Sequence, residues 1–449
     1  MKRLLLTGGR VLDPATSIDG VYDIFVIGGR IASIKPSEKE PPVGEGWEII
    51  DCRGLLVIPG LVDLHTHLRE PGEEYKETIK TGTEAAAAGG VTSVLCMANT
   101  KPVNDNATVA RYIRNKAEEE GVVNVFPVGA VTIGLKGERL TEMADLKEAG
   151  CVAVSDDGKS VANGSLMRRA LEYSRVFGLT VISHAEDAAI AGDGVMNEGA
   201  ISTRLGLKGI PNGAEEAMVA RDIFLSELTG GKLHIAHVSA EGAVSLIRAA
   251  KKRGVNVTAE VTPHHLMLTD EAVIGLGGLG GLGGLGGLGG FNGGYDTDFK
   301  MNPPLRAKKD VDALREGLSD GTIDCVSTDH APHSSIEKDV EFDHASFGVV
   351  GLETSLAIML ALADEGVLTL DSVVRLMALN PAKIMGLDKG TLKVGSSADI
   401  AIVDLEKKWT VDPAKFKSKG RNTPFKGMEL KGKVVKTIVN GEVVYSAED

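Results

Sequence analysis

The chain has 449 residues, 43% of them hydrophobic, enough to bury a large core. Its net charge of −13, from 49 basic and 62 acidic residues, argues against a nucleic-acid binder and repels an anionic ligand unless the binding site is locally positive. No apolar run approaches the roughly 18 residues of a membrane-spanning helix.

The first 58 residues predict short strands at Leu4–Leu6, Asp23–Ile27 and Arg30–Ile34, joined by Gly-Gly turns. The opening MKRLLLTGGRVLD has too short an apolar run for a secretory signal. Eight apolar, β-branched runs follow: Leu55–His65, Val91–Met97, Val123–Val131, Cys151–Ser155, Thr180–His184, Lys232–His237, Asn256–Val261 and Ile323–Thr328. Between them lie helical stretches such as Glu77–Ala88, which stops at Gly89-Gly90, Glu215–Leu228 and Ala243–Lys252. Strands alternating with helices are parallel β/α units, and eight of them make a (β/α)8 TIM-like barrel. A doubly wound open sheet is the alternative, but no GxGxxG follows an early strand. From about residue 390 the chain turns β-rich again, with Ala398–Val403, Val434–Val444 and an Asn440-Gly441 hairpin signal. The expected organisation is an α/β chain. Segments 1–58 and 388–449 pair into a small, sandwich-like composite β domain, and 59–387 forms the barrel. A Gly/Leu-rich loop insertion at 275–294 interrupts the barrel, with leucine at every third position of Gly275–Gly290. The four cysteines, Cys52, Cys96, Cys151 and Cys325, form no CxxC pair and read as buried free thiols of a reducing cytosol.

Ionisable residues close several of these strands. His65 and His67 end the first and, by strand alternation, point the same way about 7 Å apart. Asp156-Asp157 end the fourth and His184 the fifth. On the sixth, alternation puts His234 and His237 on opposite faces; His237, nearer the C-terminal end, is the expected ligand and His234 a structural group. Asp329 ends the eighth. Singly, each could be a core residue or a helix cap. Jointly they ring the C-terminal rim, the catalytic face of such barrels. Imidazoles and carboxylates without thiolate suit zinc, manganese or cobalt. Four histidines with a bridging carboxylate can hold two ions, which lower the pKa of a shared water from about 15.7 towards 7.

Asp63–Pro71 reads DLHTHLREP and Thr328–Lys338 reads TDHAPHSSIEK. In order with them stand Met97–Thr100, Ser155–Gly158, Thr262–His265, Lys300–Pro304 and Phe347-Gly348. Together these segments resemble the cyclic amidohydrolase superfamily, and within it the dihydroorotases of the bacterial class I type, over nearly the whole chain. The resemblance implies a cytoplasmic zinc enzyme of de novo pyrimidine biosynthesis. It would reversibly cyclise N-carbamoyl-L-aspartate to L-dihydroorotate plus water, using a hydroxide on two zinc ions. His65, His67 and Asp329 would bind one ion, His184 and His237 the other, with Asp157 bridging where many relatives use a carboxylated lysine. Asp329 would also be the general acid and base. Arg69, Asn99, Asn302, His333, the Phe347-Gly348 backbone and His67 would contact substrate. A homodimer and an aspartate transcarbamoylase association are the macromolecular partners the resemblance allows; nucleic acid and membrane are not among them. An allantoinase or hydantoinase shares the barrel and metals but lacks a match for Arg69. A non-catalytic scaffold for the transcarbamoylase would be expected to lose ligands, and none is missing.

Overall fold

The computed structural model describes residues 1–38, 44, 46–275 and 294–447. Apart from Gly275 and Gly294, the expected loop insertion lies outside the described residues.

Eight parallel strands form the barrel in chain order: Leu61–Thr66, Val91–Cys96, Asn124–Gly129, Ala153–Ser155, Thr180–Ser183, Leu233–Ile235, Val257–Val261 and Cys325–Val326. The circle closes at the rim, where Thr66 and His330 bridge in parallel and His67 N donates to His330 O at 2.9 Å. Parallel neighbours require crossovers, which here are mostly helices packed outside the barrel. Helix Ile79–Ala88 shows why they form where they do. Thr78 and Thr81 cap each other's backbone N–H groups at 3.1 Å, a device worth about 1 kcal/mol. Its buried face, Ala85–Ala87, is small enough for close packing on the barrel.

Strand alternation separates two cores. Leu61, Val94, Val154, Val181, Leu233 and Val257 pack towards the helices. Val62, Leu64, Leu95, Met97, Val128 and Ile182 fill the barrel, with Ala382 and Met385 of helix Asn380–Met385 against them. All four cysteines are buried and free.

A mixed sheet of eight strands draws on both chain ends, from 3–59 and 400–446. Leu56–Pro59 joins them, parallel to Arg10-Val11 and antiparallel to Ile400–Val403. The apolar run Leu55–His65 is therefore two strands in two sheets rather than one. The break is at Gly60, where a β-carbon would sit 2.1 Å from Thr92 Oγ1. At the hairpin, Asn440 and Gly441 have φ of 50° and 78°, as a type I′ turn requires. Among the described residues no helix is long and apolar enough to cross a membrane.

Candidate metal centre and active site

The first barrel strand presents its histidines by breaking its own alternation. Val62 and Leu64 point into the barrel, so simple alternation would turn His65 outward. A bulge intervenes: Asp63 is level with Val94 but Thr66 with Cys96, three steps against two. His65 and His67 thereby face inward, their ring centroids 5.3 Å apart. Asp63 holds the bulge, accepting from His65 N at 3.0 Å and Thr328 N at 3.2 Å.

The sixth strand departs from expectation. His234 and His237 do not take opposite faces; both turn inward, at two depths. The strand ends at Ile235 and His237 has a φ of 32°, so parity does not extend to it. His237 joins the rim. His234 lies deeper, 2.8 Å from Thr258 Oγ1 and 3.2 Å from Glu260. Arg69 and Asp329 share the left-handed backbone, with φ of 60° and 48°. Non-glycine residues rarely adopt it, and such strain clusters at functional sites.

Asp157 is the hub of the rim. Its Oδ1 lies 3.2 Å from His65 Nε2 and 3.5 Å from both His184 Nδ1 and His237 Nε2; its Oδ2 lies 3.5 Å from His67 Nε2. Asp329 Oδ1 is 2.9 Å from His67 Nε2 and 3.6 Å from His65 Nε2. All six groups are buried. Burial opposes charge on both carboxyls, yet the imidazoles prevail and hold Asp157 and Asp329 below the usual carboxylate range. Against the same burial, the carboxylates raise His65 and His184.

This donor set fits metal ions. Although 3.2 Å apart, His65 Nε2 and Asp157 Oδ1 are buried and make no aligned hydrogen bond among the described residues, and His184 Nδ1 faces His237 Nε2 at 2.9 Å. His65, His67 and Asp329 converge within 4.8 Å, as do His65, Asp157 and His237. A deeper group, His234, Glu260 and Cys325, is already tied by the His234–Glu260 contact. Lys159 is exposed beyond Gly158 and enters none of these. Asp156 points elsewhere, accepting from Val131 N and Thr132 N at 2.8 and 2.9 Å; burial pushes its carboxyl up to about 6.

The neighbouring wall carries a buried cation. Arg69 is 8% exposed, and among the described residues it has no carboxylate within 4.0 Å. Its Nε donates to Pro332 O at 3.2 Å, and its Nη2 lies 3.4 Å from His333 Nε2. Burial, then the charges of Arg69 and Lys76, push His333 down to about 3, so its ring is neutral. His333 Nε2 donates to Phe347 O at 2.8 Å. Asn302 Oδ1 and His264 Nε2 are buried and have no hydrogen-bond partner among the described residues. At Gly348, φ is 135° and a β-carbon would stand 2.7 Å from Ala331 Cβ and 3.2 Å from His333 Nε2, which excludes a side chain. Asn99, expected on this wall, has its Oδ1 2.9 Å from His67 Nδ1 and so steadies a metal-ligand candidate.

Several supporting groups escape a motif reading. Glu260 lies 2.7 Å from His65 Nδ1, orienting that ring as carboxylates orient metal-binding histidines. The available signal was an ionisable residue inside the apolar run Asn256–Val261. Lys338 Nζ donates to the carbonyls of Lys300, Ser346 and Gly348 at 3.2, 2.9 and 3.1 Å. Lys300 Nζ donates to Phe342 O at 2.7 Å and lies 4.6 Å from the Phe347 ring centroid. The two lysines pin the loop that carries Phe347-Gly348.

Known proteins match this architecture. The family model described as dihydro-orotase-like matches residues 54–243, and that of an amidohydrolase family matches 291–445. A dihydroorotase of Geobacter metallireducens is 57% identical, covering 98% of this chain and 99% of the relative. A dihydroorotase of Syntrophus aciditrophicus is 52% identical, covering 99% and 100%. Among solved structures, an L-hydantoinase (dihydropyrimidinase) from Arthrobacter aurescens superposes with a TM-score of 0.85 at 26% identity, over 100% of this chain and 97% of that one. With full-length relatives at this identity and an intact set of rim groups, the chain belongs to the dihydroorotase family of amidohydrolases.

Proposed function

We propose that the chain interconverts N-carbamoyl-L-aspartate and L-dihydroorotate, a step of pyrimidine biosynthesis. The observation that carries this reading is Arg69, a buried guanidinium with no carboxylate within 4.0 Å among the described residues. A buried charge is costly until paired, and dihydroorotate brings a ring carboxylate beside a cyclic amide.

Two zinc ions, held by His65, His67 and Asp329 and by His184 and His237 with Asp157 between, would polarise the ring carbonyl and acidify a water. Arg69 pairs the substrate carboxylate in the two-pronged manner of a guanidinium. Neutral His333 and Asn302 hydrogen-bond beside it, and the Gly348 backbone meets the ring edge. In hydrolysis Asp329 accepts a proton from the water that adds to the ring carbonyl carbon. The carbonyl carbon–nitrogen bond breaks, and Asp329 passes the proton to the departing nitrogen. Ring closure uses the same carboxyl in reverse.

The hydantoinases that share the fold offer a rival substrate class. A simple hydantoin has no carboxylate for Arg69, and the dihydroorotases are the relatives at more than half identity. Metal content and hydrolysis of dihydroorotate, hydantoin and allantoin, measured on one zinc-loaded sample, test the reading. Turnover of hydantoin comparable with that of dihydroorotate would overturn it. We place the enzyme in the cytoplasm, as a homodimer able to associate with aspartate transcarbamoylase. Sedimentation of the chain alone and mixed with that enzyme tests both associations.

A further inference from the structure

A cleft of about 610 Å³ lies away from the barrel rim, where the C-terminal strands meet the outer helices. Its walls come from the end of helix Ile79–Ala88, helix Ser355–Asp364, the strands Ile400–Thr410 and Glu429–Val439, and the segment 412–427. Lys415, Lys417, Lys426 and Lys433 line it. The carboxyls among its lining residues are Asp412 and Glu353. Lys415 is 4.0 Å from Asp412, whereas Lys417 and Lys426 have no carboxylate that close among the described residues. Four lysines against two carboxyls make the concavity's lining basic on a chain whose net charge is −13.

The cleft also has an aromatic side. Trp409 lines it, its ring fixed by Nε1 donating to Gly432 O at 3.0 Å and flanked by Lys433 Nζ, 5.5 Å from the centroid. Phe416 and Tyr445 stand nearby on the same walls. The volume falls within the roughly 300–1,000 Å³ of small-molecule sites. Ammonium groups beside a flat indole suit an anion that carries a planar ring. We propose that this cleft binds a nucleoside phosphate, the base against Trp409 and the phosphate among Lys415, Lys417 and Lys426.

Occupancy would be felt at the rim, because the segment that walls the cleft also holds the substrate wall. Glu353 Oε1 accepts from Lys417 N at 2.8 Å and Ser418 N at 3.2 Å. A few residues on, Asn422 Oδ1 accepts from His333 N at 3.1 Å, and its Nδ2 donates to Ala331 O and Gly348 O at 3.1 and 3.0 Å. A ligand that draws Lys417 towards its phosphate therefore acts on His333 and Gly348 through one short stretch of chain. This coupling, unlike the binding itself, rests on the substrate reading above.

The chain has two tryptophans, so Trp47→Phe leaves Trp409 as the only indole. Its fluorescence is titrated with UMP, AMP, ribose 5-phosphate and inorganic phosphate on the full zinc-loaded chain. Saturable quenching by the nucleotides with Kd below about 1 mM is expected, at least about tenfold tighter than for ribose 5-phosphate. Lys417→Ala with Lys433→Ala should weaken it at least about tenfold. Lys417→Glu alone, with the melting temperature as a check on folding, should weaken it too. No saturation by any probe up to about 10 mM overturns the site. Phosphate binding as tightly as UMP overturns the role of the ring. Quenching that survives both lysine variants places the nucleotide elsewhere and overturns the assignment. A saturating nucleotide should change the KM for dihydroorotate at least about twofold with kcat unchanged; an unchanged KM overturns the coupling. A chain that quenches as expected but does not hydrolyse dihydroorotate would count against the substrate reading and leave the site standing.

Discussion

Replacing Glu260 by glutamine tests whether the proposed metal centre depends on a carboxylate outside its ligand set. Glu260 is 1% exposed and lies 2.7 Å from His65 Nδ1 and 3.2 Å from His234 Nε2. Burial alone would raise its pKa, but the contacts with His234 and His65 prevail and hold it well below the usual carboxylate range. With an ion bound, a carboxylate here would keep the His65 proton on Nδ1 and leave the Nε2 lone pair for the metal. Glutamine conserves the volume and one acceptor oxygen, so His65 can keep a neutral hydrogen bond. Charge-assisted bonds contribute about 1.5–3 kcal/mol and neutral ones about 1 kcal/mol. The difference, about 0.5–2 kcal/mol, corresponds to roughly 2–30-fold in zinc affinity, its upper part reaching the range of other outer partners of metal-binding histidines. Competition against a chromophoric chelator reads it directly. The metal-free protein gives a second readout. With its folded pKa depressed, Glu260 stabilises the fold above the ordinary value of about 4.3, and that stability is lost as pH falls below it. The glutamine variant should lose less stability on acidification than the parent. Zinc affinity that does not fall at all in a folded variant would refute the orienting role.

Arg69→Ala should remove at least about 2–5 kcal/mol of transition-state binding, read as kcat/KM for dihydroorotate, and Arg69→Lys should restore only part; a mild loss would break the carboxylate pairing. Lys338→Met leaves three carbonyls of the Phe347-Gly348 loop without their donor, so KM should rise about three- to tenfold with little change in kcat; an unaltered KM would show that the loop holds without it. Glu353 is predicted to make stability fall as pH rises. Burial pushes its carboxyl up to about 7, against about 4.3 unfolded, so its contribution is complete below the lower value and lost as pH rises through the higher. Glutamine can still accept from Lys417 N and Ser418 N, so Glu353→Gln should gain about 1–3 kcal/mol in urea unfolding at pH 8 and nothing at pH 4. An equal effect at both values would contradict the buried-acid account.

The barrel is legible in the sequence because each of its strands is a short apolar run and the intervening helices carry their own stop signals. The run Leu55–His65 holds two strands because Gly60 must pass within contact of Thr92, a constraint set 32 residues away that no local pattern records, and several other strands, such as Leu233–Ile235 and Cys325–Val326, are shorter than their apolar runs. The rim groups are legible by type, since a histidine or aspartate at the end of a buried strand has few other reasons to be there. Their direction is not. Alternation gives a common face for His65 and His67, but only the bulge opposite Val94–Cys96 turns that face inward. Counting parity fails at His237, where the backbone has left the strand. The supports are least legible of all, because their partners are remote: Glu260 meets His65 across 195 positions, and Asn422 meets His333 across 89. Such residues look ordinary in sequence, an acid in an apolar run or an asparagine in a loop. Their meaning lies in which buried donor they complete. Chemistry-bearing residues can thus be nominated one at a time, whereas the groups that fix a tautomer, a bulge or a loop become visible only once the barrel has brought distant strands side by side.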